Sequence, residues 1–270
     1  MSTAGTREGE VVHLTDDAVS ELARLLFDAR MGLRDADLPL PPKLTEADGY
    51  RVQLAVLDRH LEAGDTLAGY KIGLTSADAR ASYRTARPAW GFLLASAVSA
   101  KPENPQLPHV SARRVEAEFA FILEQDLPTR RLSAAEVAAH TRALCLAAEI
   151  VDTRWAGDGG LGALIADDVS NAAVVLGPEV EMGAALVAAI PAVVRAGDRE
   201  SRGISTAVWG DPAAAVGWLA AALGRHEREL TAGQIVMSGS FGAPLPVEPS
   251  DDIHIEFGHL GHLQLKGTTR

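Results

Sequence analysis

The sequence predicts an α+β protein whose helices come first and whose remaining body is largely β-structure. Three observations carry this. Apolar residues recur at helical spacing in two early segments, residues 16–31 and 45–64. Beyond residue 66 the texture changes to short runs of strand length, at 67–74, 90–98, 115–123, 144–151 and 172–176. The later chain holds one more convincing helix, residues 212–223, followed by strand-like runs at 235–238, 253–257 and 263–265.

In the first helix Val19, Leu22, Ala23, Leu25 and Leu26 share one stripe, and Thr15 or Asp16 is placed to cap it. A Pro-rich connection at 38–43 leads to Thr45 and Glu46. Val52, Leu54, Ala55, Val56 and Leu61 then form the apolar side of a second helix that ends near Gly64. The expected organisation is an N-terminal helical region, residues 1–66, packed on a body of residues 67–270. Residues 158–162 and 197–203 are expected as exposed loops, either of which would serve as a lid.

The chain has 270 residues, 47% of them hydrophobic and 23% charged, an ordinary globular composition. Its net charge of −11 argues against a nucleic-acid partner, because phosphate neutralisation needs a clustered basic face. An anionic substrate would need a local positive centre. The lone Cys145 sits in an apolar run, which excludes an intrachain disulfide and suits a reducing compartment. The first ten residues are polar and charged, unlike a secretory signal, so the expected location is cytoplasmic. The longest apolar stretch, 182–194, contains Pro191 and is far short of the roughly 20 residues a spanning helix needs.

The most informative local feature is Glu116-Ala117-Glu118 within the apolar run 115–123. Strand alternation sends both carboxylates to one face, where they need a cation or a shared proton if buried. The alternative is a solvent-facing strand edge with two ordinary acids. Glu149 lies in a second apolar run, Leu146-Ala147-Ala148-Glu149-Ile150-Val151-Asp152, and an acid in such surroundings seldom lacks a partner. Three convergent carboxylates make a hard oxygen site suited to Mg²⁺ or Mn²⁺. For Glu149 and Asp152 the competing role is a salt bridge with Arg154, and for Asp152 that role is preferred. Lys71, in Gly69-Tyr70-Lys71-Ile72-Gly73-Leu74-Thr75-Ser76, lies on a strand-like segment entering a polar turn. Its ammonium either faces a pocket floor or snorkels to the surface.

Several motifs, in order and spacing, resemble the 2-keto-4-pentenoate hydratase and 4-oxalocrotonate decarboxylase family within the fumarylacetoacetate hydrolase superfamily. They are Lys71-Ile72-Gly73-Leu74-Thr75-Ser76, Val115-Glu116-Ala117-Glu118, Ala148-Glu149-Ile150-Val151-Asp152-Thr153-Arg154 and Gly233-Gln234-Ile235-Val236-Met237-Ser238-Gly239-Ser240. Gly210-Asp211-Pro212 and Trp218-Leu219-Ala220 add weaker support, and the likeness runs from about Leu54 to the C-terminus. The resemblance implies a mixed β-roll or sandwich body behind N-terminal helices. It also implies that Glu116, Glu118 and Glu149 hold one divalent cation, Mg²⁺ or Mn²⁺, chelated by the carboxylate and keto oxygens of a small 2-oxo acid. Lys71 would assist by hydrogen bonding or proton transfer as an enolate forms. Thr75, Ser238 and the backbone at Gly239 would contact substrate, with Asp152, Arg154 and Asp167 supporting the site from behind.

Two reactions are run on this scaffold, hydration of a 2-hydroxy-2,4-dienoate and decarboxylation of a vinylogous β-keto acid, both through a metal-bound dienolate. Hydratases carry an acid before the aromatic-Gly pair, but here Arg87-Pro88-Ala89-Trp90-Gly91-Phe92 puts Ala89 in that place, and Ala is no general base. Ser238-Gly239-Ser240-Phe241-Gly242 resembles the hydratase branch, whereas Asp167-Asp168 replaces the usual Asp-Asn pair. Hydration is the expected reaction. The other readings are decarboxylation, a biosynthetic 2-oxo-enoate substrate, a tautomerase, and a non-catalytic partner of an active paralogue. A homo-oligomer is implied, and residues around Trp90, Trp155 and Phe241 are expected along the substrate's tail.

Overall fold

The computed structural model describes residues 13–39, 44–102, 113–180 and 189–267. Both early helices form. Helix α1 (Asp16–Arg30) starts at Thr15, whose hydroxyl accepts the Ala18 amide at 3.3 Å. Helix α2 (Glu46–Glu62) starts at Thr45, whose hydroxyl accepts the Asp48 amide at 3.1 Å. Each opens on acids and closes on bases, matching the helix dipole. The buried faces, Val19, Ala23 and Leu26 on α1 and Val52, Val56 and Leu57 on α2, join a hydrophobic core that continues through the strands.

Eight strands make the larger sheet: β1 (Leu67–Gly73), β2 (Ala89–Leu94), β3 (Val98–Ser99), β4 (Arg114–Leu123), β5 (Thr141–Val151), β6 (Asn171–Val180), β9 (Ile235–Met237) and β10 (Leu245–Pro246). They run in the order β2-β1-β9-β4-β5-β6-β3, with β10 on β4. A second sheet of four strands has β7 (Pro191–Ala196) and β8 (Arg199–Ile204) beside β11 (Ile253–Glu256) and β12 (His262–Leu265), in the order β12-β11-β7-β8. Helix α6 (Pro212–Gly224), capped by Asp211 and led by Pro212, occupies the segment expected to be helical.

Alternation along β4 divides its two faces. Val115, Ala117, Phe119 and Phe121 belong to the main core, where Phe119 packs edge-on to Phe241 at 4.8 Å and stacks with Phe257 at 6.2 Å. Ala120 and Ile122 point the other way, into a small apolar cluster with Cys145, Ala147, Val174, Met237 and Leu93. That second face is concave. Lys71 on β1 and Glu149 on β5 are three strands apart, roughly 14 Å on a flat sheet. Their side chains nevertheless meet at 3.1 Å, so the sheet curls around this face.

Short elements escape the sequence reading. Helices α3 (Ala77–Ser82) and α4 (Ala134–Ala139) have six residues each, too few for a period to show. The expected loop at 158–162 is a loop only as far as Gly159; α5 (Gly160–Ala166) follows and packs on α2. A side chain at Gly49 would strike the Gly162 carbonyl oxygen at 2.5 Å, so these two helices cross backbone to backbone. The expected loop at 197–203 is mostly β8, whose charged, alternately exposed residues hide it from an apolar-pattern search. The run 90–98 splits into β2 and β3 across a single turn of 3₁₀ helix at Ala95–Ala97. The first ten residues, 40–43 of the Pro-rich connection and 182–188 of the apolar stretch lie outside the described residues. Among those described, no helix is long and apolar enough to cross a membrane.

His60, on the inner side of α2, packs against Phe27 at 4.7 Å between ring centroids. Its Nε2 is buried without a partner, and burial, then the nearby Arg30 charge, push its pKa down to about 4. The native state therefore resists protonation of His60, whereas the unfolded chain accepts it near pH 6.5. Stability from this residue is complete above pH 6.5 and declines as pH falls towards 4, by about 3 kcal/mol in all. Urea unfolding of His60→Leu should show a shallower loss of stability across that window than the wild type, and an identical slope would refute the assignment.

Candidate metal centre

The register of β4 and β5 places Glu116 directly opposite Glu149, with Glu118 two residues along on the same face. Like charges directly opposite one another destabilise a strand pair, and here they are also withdrawn from water. Glu118 and Glu149 are fully buried and Glu116 is half-buried at the floor of a cleft. One carboxylate oxygen from each lies within 4.8 Å of the others.

Each buried glutamate uses one oxygen in protein hydrogen bonds and leaves the other bare. Glu118 Oε2 accepts the Gly239 amide at 2.9 Å, while its Oε1 has no partner. Glu149 Oε1 accepts Asn171 Nδ2 at 2.8 Å and pairs with Lys71 Nζ at 3.1 Å, while its Oε2 has no partner. Burial, followed by the charge of Glu149, pushes the Glu116 carboxyl up to about 7. Burial and the other two glutamates push Glu118 well above the carboxylate range. For Lys71 burial alone would favour the neutral amine, but the three glutamates outweigh it and raise the pKa. Bare, desolvated carboxylate oxygens of this kind fit a hard divalent cation, which would supply the positive charge that Lys71 alone does not.

Lys71 is held at both ends of its reach. Besides Glu149, its Nζ donates to the Val169 carbonyl at 3.0 Å. That carbonyl is aimed by three consecutive left-handed residues, Asp168, Val169 and Ser170, with φ of 55°, 50° and 60°. A β-branched residue there is strained, by about 1–3 kcal/mol for such a position. The turn persists because its surroundings over-determine it. Asp168 Oδ1 accepts the Phe92 amide at 2.7 Å, and Arg30 of α1 approaches Asp168 Oδ2 at 3.4 Å. Burial holds Asp168 up at about 7 in spite of Arg30.

Arg154 donates to the Asn171 carbonyl at 2.7 Å and pairs with Asp167 at 3.1 Å. Its contact with Asp152 is to the backbone carbonyl, at 3.1 Å. The Asp152–Arg154 ion pair preferred from sequence is thus absent, because Asp167 at the end of α5 takes the guanidinium.

The cleft above the glutamates has a volume of about 510 Å³. Thr75, Ser76 and Tyr83 form one wall, Ser240 and Phe241 another, with Lys71, Arg114 and Glu116 between them. Ser238 is turned away: its hydroxyl accepts the Phe119 amide and donates to the Gly239 carbonyl, both at 3.3 Å, so Ser240 is the serine on the wall. Gly239 has φ 106°, and a Cβ there would meet Thr75 Oγ1 at 2.6 Å. Only glycine brings this amide onto Glu118. Trp90 lies opposite Ile72 in the β1–β2 register, one residue off from the Lys71–Gly91 pair, and therefore faces away from the cleft onto Tyr50. Trp155 is buried and donates to the Ala163 carbonyl at 2.9 Å. Of the three aromatics expected along the tail, Phe241 alone borders the cleft, and its ring is buried in the core against Phe119 and Phe257.

No protein-family model matches the chain. Individual relatives do. The chain is 34% identical to a TodF product hydratase of Pseudomonas putida F1, over 90% of its own length and 93% of the relative's. It is 30% identical to 2-oxo-hept-4-ene-1,7-dioate hydratase of Escherichia coli, over 83% and 88%. The chain belongs to the 2-keto-4-pentenoate hydratase and 4-oxalocrotonate decarboxylase family. Its fold matches 4-oxalocrotonate decarboxylase from Pseudomonas putida G7, complexed with magnesium and adipate, with a TM-score of 0.84 over 94% of this chain and 98% of that one at 24% identity. The fold also matches a putative fumarylacetoacetate hydrolase family protein from Yersinia pestis CO92, with a TM-score of 0.56 over 75% of this chain and 94% of that one at 13% identity.

Ala89 is buried in β2 opposite Gly73, two residues from the Lys71–Gly91 pair and so on the same face as Lys71. The carboxylate that lines the cleft outside the glutamate cluster is the exposed Asp78 of α3. Sequence reasoning missed Asn171, Arg30 and Arg114. Arg114 carried a signal, since it precedes Glu116 by two and shares its face; Asn171 and Arg30 reach the site only through the fold.

With no metal present Glu118 must either take up a proton or stand charged beside its neighbours, and replacing it by a group that cannot ionise should remove that cost. Glu118→Gln, which keeps an oxygen for the Gly239 amide, should raise the metal-free melting temperature by about 2–4 °C. The same variant should lose most of the stabilisation that Mn²⁺ gives the wild type. A lower metal-free melting temperature would mean that the charge is not the source of strain.

Proposed function

We propose that the protein is a divalent-metal-dependent lyase acting on a small 2-oxo or 2-hydroxydienoic acid, with water addition to a 2-hydroxy-2,4-dienoate as its reaction. The observation that carries the reading is the convergence of Glu116, Glu118, Glu149 and Lys71 at the floor of one cleft, with bare oxygens on two of the glutamates. Hydratases at 30% and 34% identity over most of the chain support the reaction class. The three glutamates would hold one Mg²⁺ or Mn²⁺. When bound, that ion supplies Lewis-acid stabilisation of negative charge on the substrate's oxygens.

The chain's own groups supply the rest. Lys71 Nζ is fixed by Glu149 and Val169, and its remaining N–H is available to an oxygen bound over the glutamates. As that oxygen gains negative charge in the enolate, the ammonium stabilises it without having to reorient. Thr75 and Ser240 bring hydroxyl oxygens to the two walls, the Ser240 proton being donated to the Gly242 carbonyl at 2.7 Å. Gly239 and Asn171 keep Glu118 and Glu149 in place. Asp152, Arg154 and Asp167 act at the base of the left-handed turn rather than on substrate.

Decarboxylation is the second reading, and Ala89 favours it, since loss of carbon dioxide needs no base at that position. The same reading takes the protein to be a cytoplasmic homo-oligomer. Cys145 is buried and reduced in β5, and Met31 and Leu33, 51% and 71% exposed past α1, offer apolar surface to a second copy.

Ultraviolet and mass assays of the Mn²⁺-loaded protein with 2-hydroxypenta-2,4-dienoate and 4-oxalocrotonate should show gain of water with the first. Loss of carbon dioxide from the second would select the decarboxylase reading, and turnover surviving a chelator would overturn both. Lys71→Met should lower kcat by about 10²- to 10⁴-fold while Mn²⁺ binding persists. Undiminished turnover in that variant would remove Lys71 from the chemistry.

A further inference from the structure

Four charged side chains line the cleft: Lys71, Asp78, Arg114 and Glu116. Lys71 is taken by Glu149 and Val169, Glu116 belongs to the glutamate cluster, and Asp78 is exposed to water. Arg114 is different. It begins β4, two residues before Glu116 on the same face, so its Cα lies roughly 7 Å farther along the cleft. Among the described residues it forms no ion pair, and its Nε is buried without a hydrogen-bond partner. A buried N–H in that condition is costly, and the half-exposed guanidinium that carries it is free to meet an anion in the cleft. Glu116, the acid beside it, would be engaged by the cation.

We propose that Arg114 anchors a second carboxylate, and that the cleft takes 2-oxo dicarboxylic acids in preference to their monocarboxylic counterparts. The inference rests on the reading that the 2-oxo acid head sits over Glu116, Glu118 and Glu149. An extended carbon chain advances roughly 1.2 Å per bond, as a polypeptide backbone does, so a carboxyl six bonds from the first lies about 7 Å down the cleft. That is about the spacing of the Arg114 and Glu116 Cα atoms along β4. The planar guanidinium matches a carboxylate with two parallel N–H donors, a geometry that water or a methyl group at the chain end cannot exploit. Tyr83, half-buried in the same cleft and close enough to feel the Arg114 charge, adds a phenol donor.

The test compares unreactive acids of equal length. In calorimetric titration of the Mg²⁺-loaded protein, 2-oxoheptanedioate should bind about 10- to 100-fold more tightly than 2-oxoheptanoate, the range of charge-assisted hydrogen bonds. Arg114→Met, checked for folding by its thermal transition, should bring the ratio to within about threefold of unity, and Arg114→Lys should keep part of it. A wild-type ratio near one overturns the proposal, as does a variant that weakens both acids equally, because Arg114 would then act through Glu116. The dicarboxylate preference without turnover of any dienoate would leave the subsite standing and the proposed reaction refuted. Failure of both acids to bind the loaded wild type would overturn the reading of the cleft and the subsite with it.

Discussion

Mutual repulsion among Glu116, Glu118 and Glu149 is the constraint around which this molecule is arranged. Three carboxylates on one concave face, two of them fully buried, are unfavourable in a folded chain without a countercharge. The fold keeps them there by sheet register and by single, well-placed donors, the Gly239 amide and the Asn171 side chain. One cation from the protein, Lys71, offsets part of the charge. The remainder is an electrostatic demand for a divalent ion, and it explains how a chain of net charge −11 can receive an anionic substrate.

A second strain sits beside the first. The left-handed turn Asp168–Ser170 points one carbonyl at Lys71, and it is braced from two directions. From the N-terminal helices come Arg30 and the close α2–α5 crossing at Gly49 and Gly162. From β5 comes Arg154, locked to Asp167 and to the Asn171 backbone. The early helices are thus part of the site's support, since Arg30 of α1 meets Asp168 and α2 packs on α5, which leads into the turn. The same helices bury His60, whose neutral form is a condition of that packing.

The cleft itself is asymmetric. Its floor is anionic and suited to a metal, its near wall carries hydroxyls, and its outer end carries a guanidinium. A ligand with an oxo-acid head and an extended, unsaturated body complements the floor and walls. A substrate's tail, rather than its oxo-acid head, is what the proposed guanidinium subsite would discriminate.

Much of this is legible in the chain. The two early helices follow from apolar spacing and Thr caps, and the glutamate pair follows from strand alternation, because both depend on local geometry of fixed period. The order and spacing of the motifs tie Lys71 and Glu149 to that pair. Composition and charge argue against nucleic acid. Tertiary structure alone decides the rest. The meeting of Lys71 with Glu149 needs a sheet curled across three strand spacings, and the choice of Asp167 over Asp152 by Arg154 needs α5, which is too short and too rich in Gly to announce itself. Both serine hydroxyls bond to backbone, Ser238 to Phe119 and Gly239 and Ser240 to Gly242, and only the path of the chain beyond β9 puts Ser240 rather than Ser238 at the cleft. Local periodicity states which face a residue takes; which other face it meets is set by register, curvature and close approach, and these are properties of the whole chain.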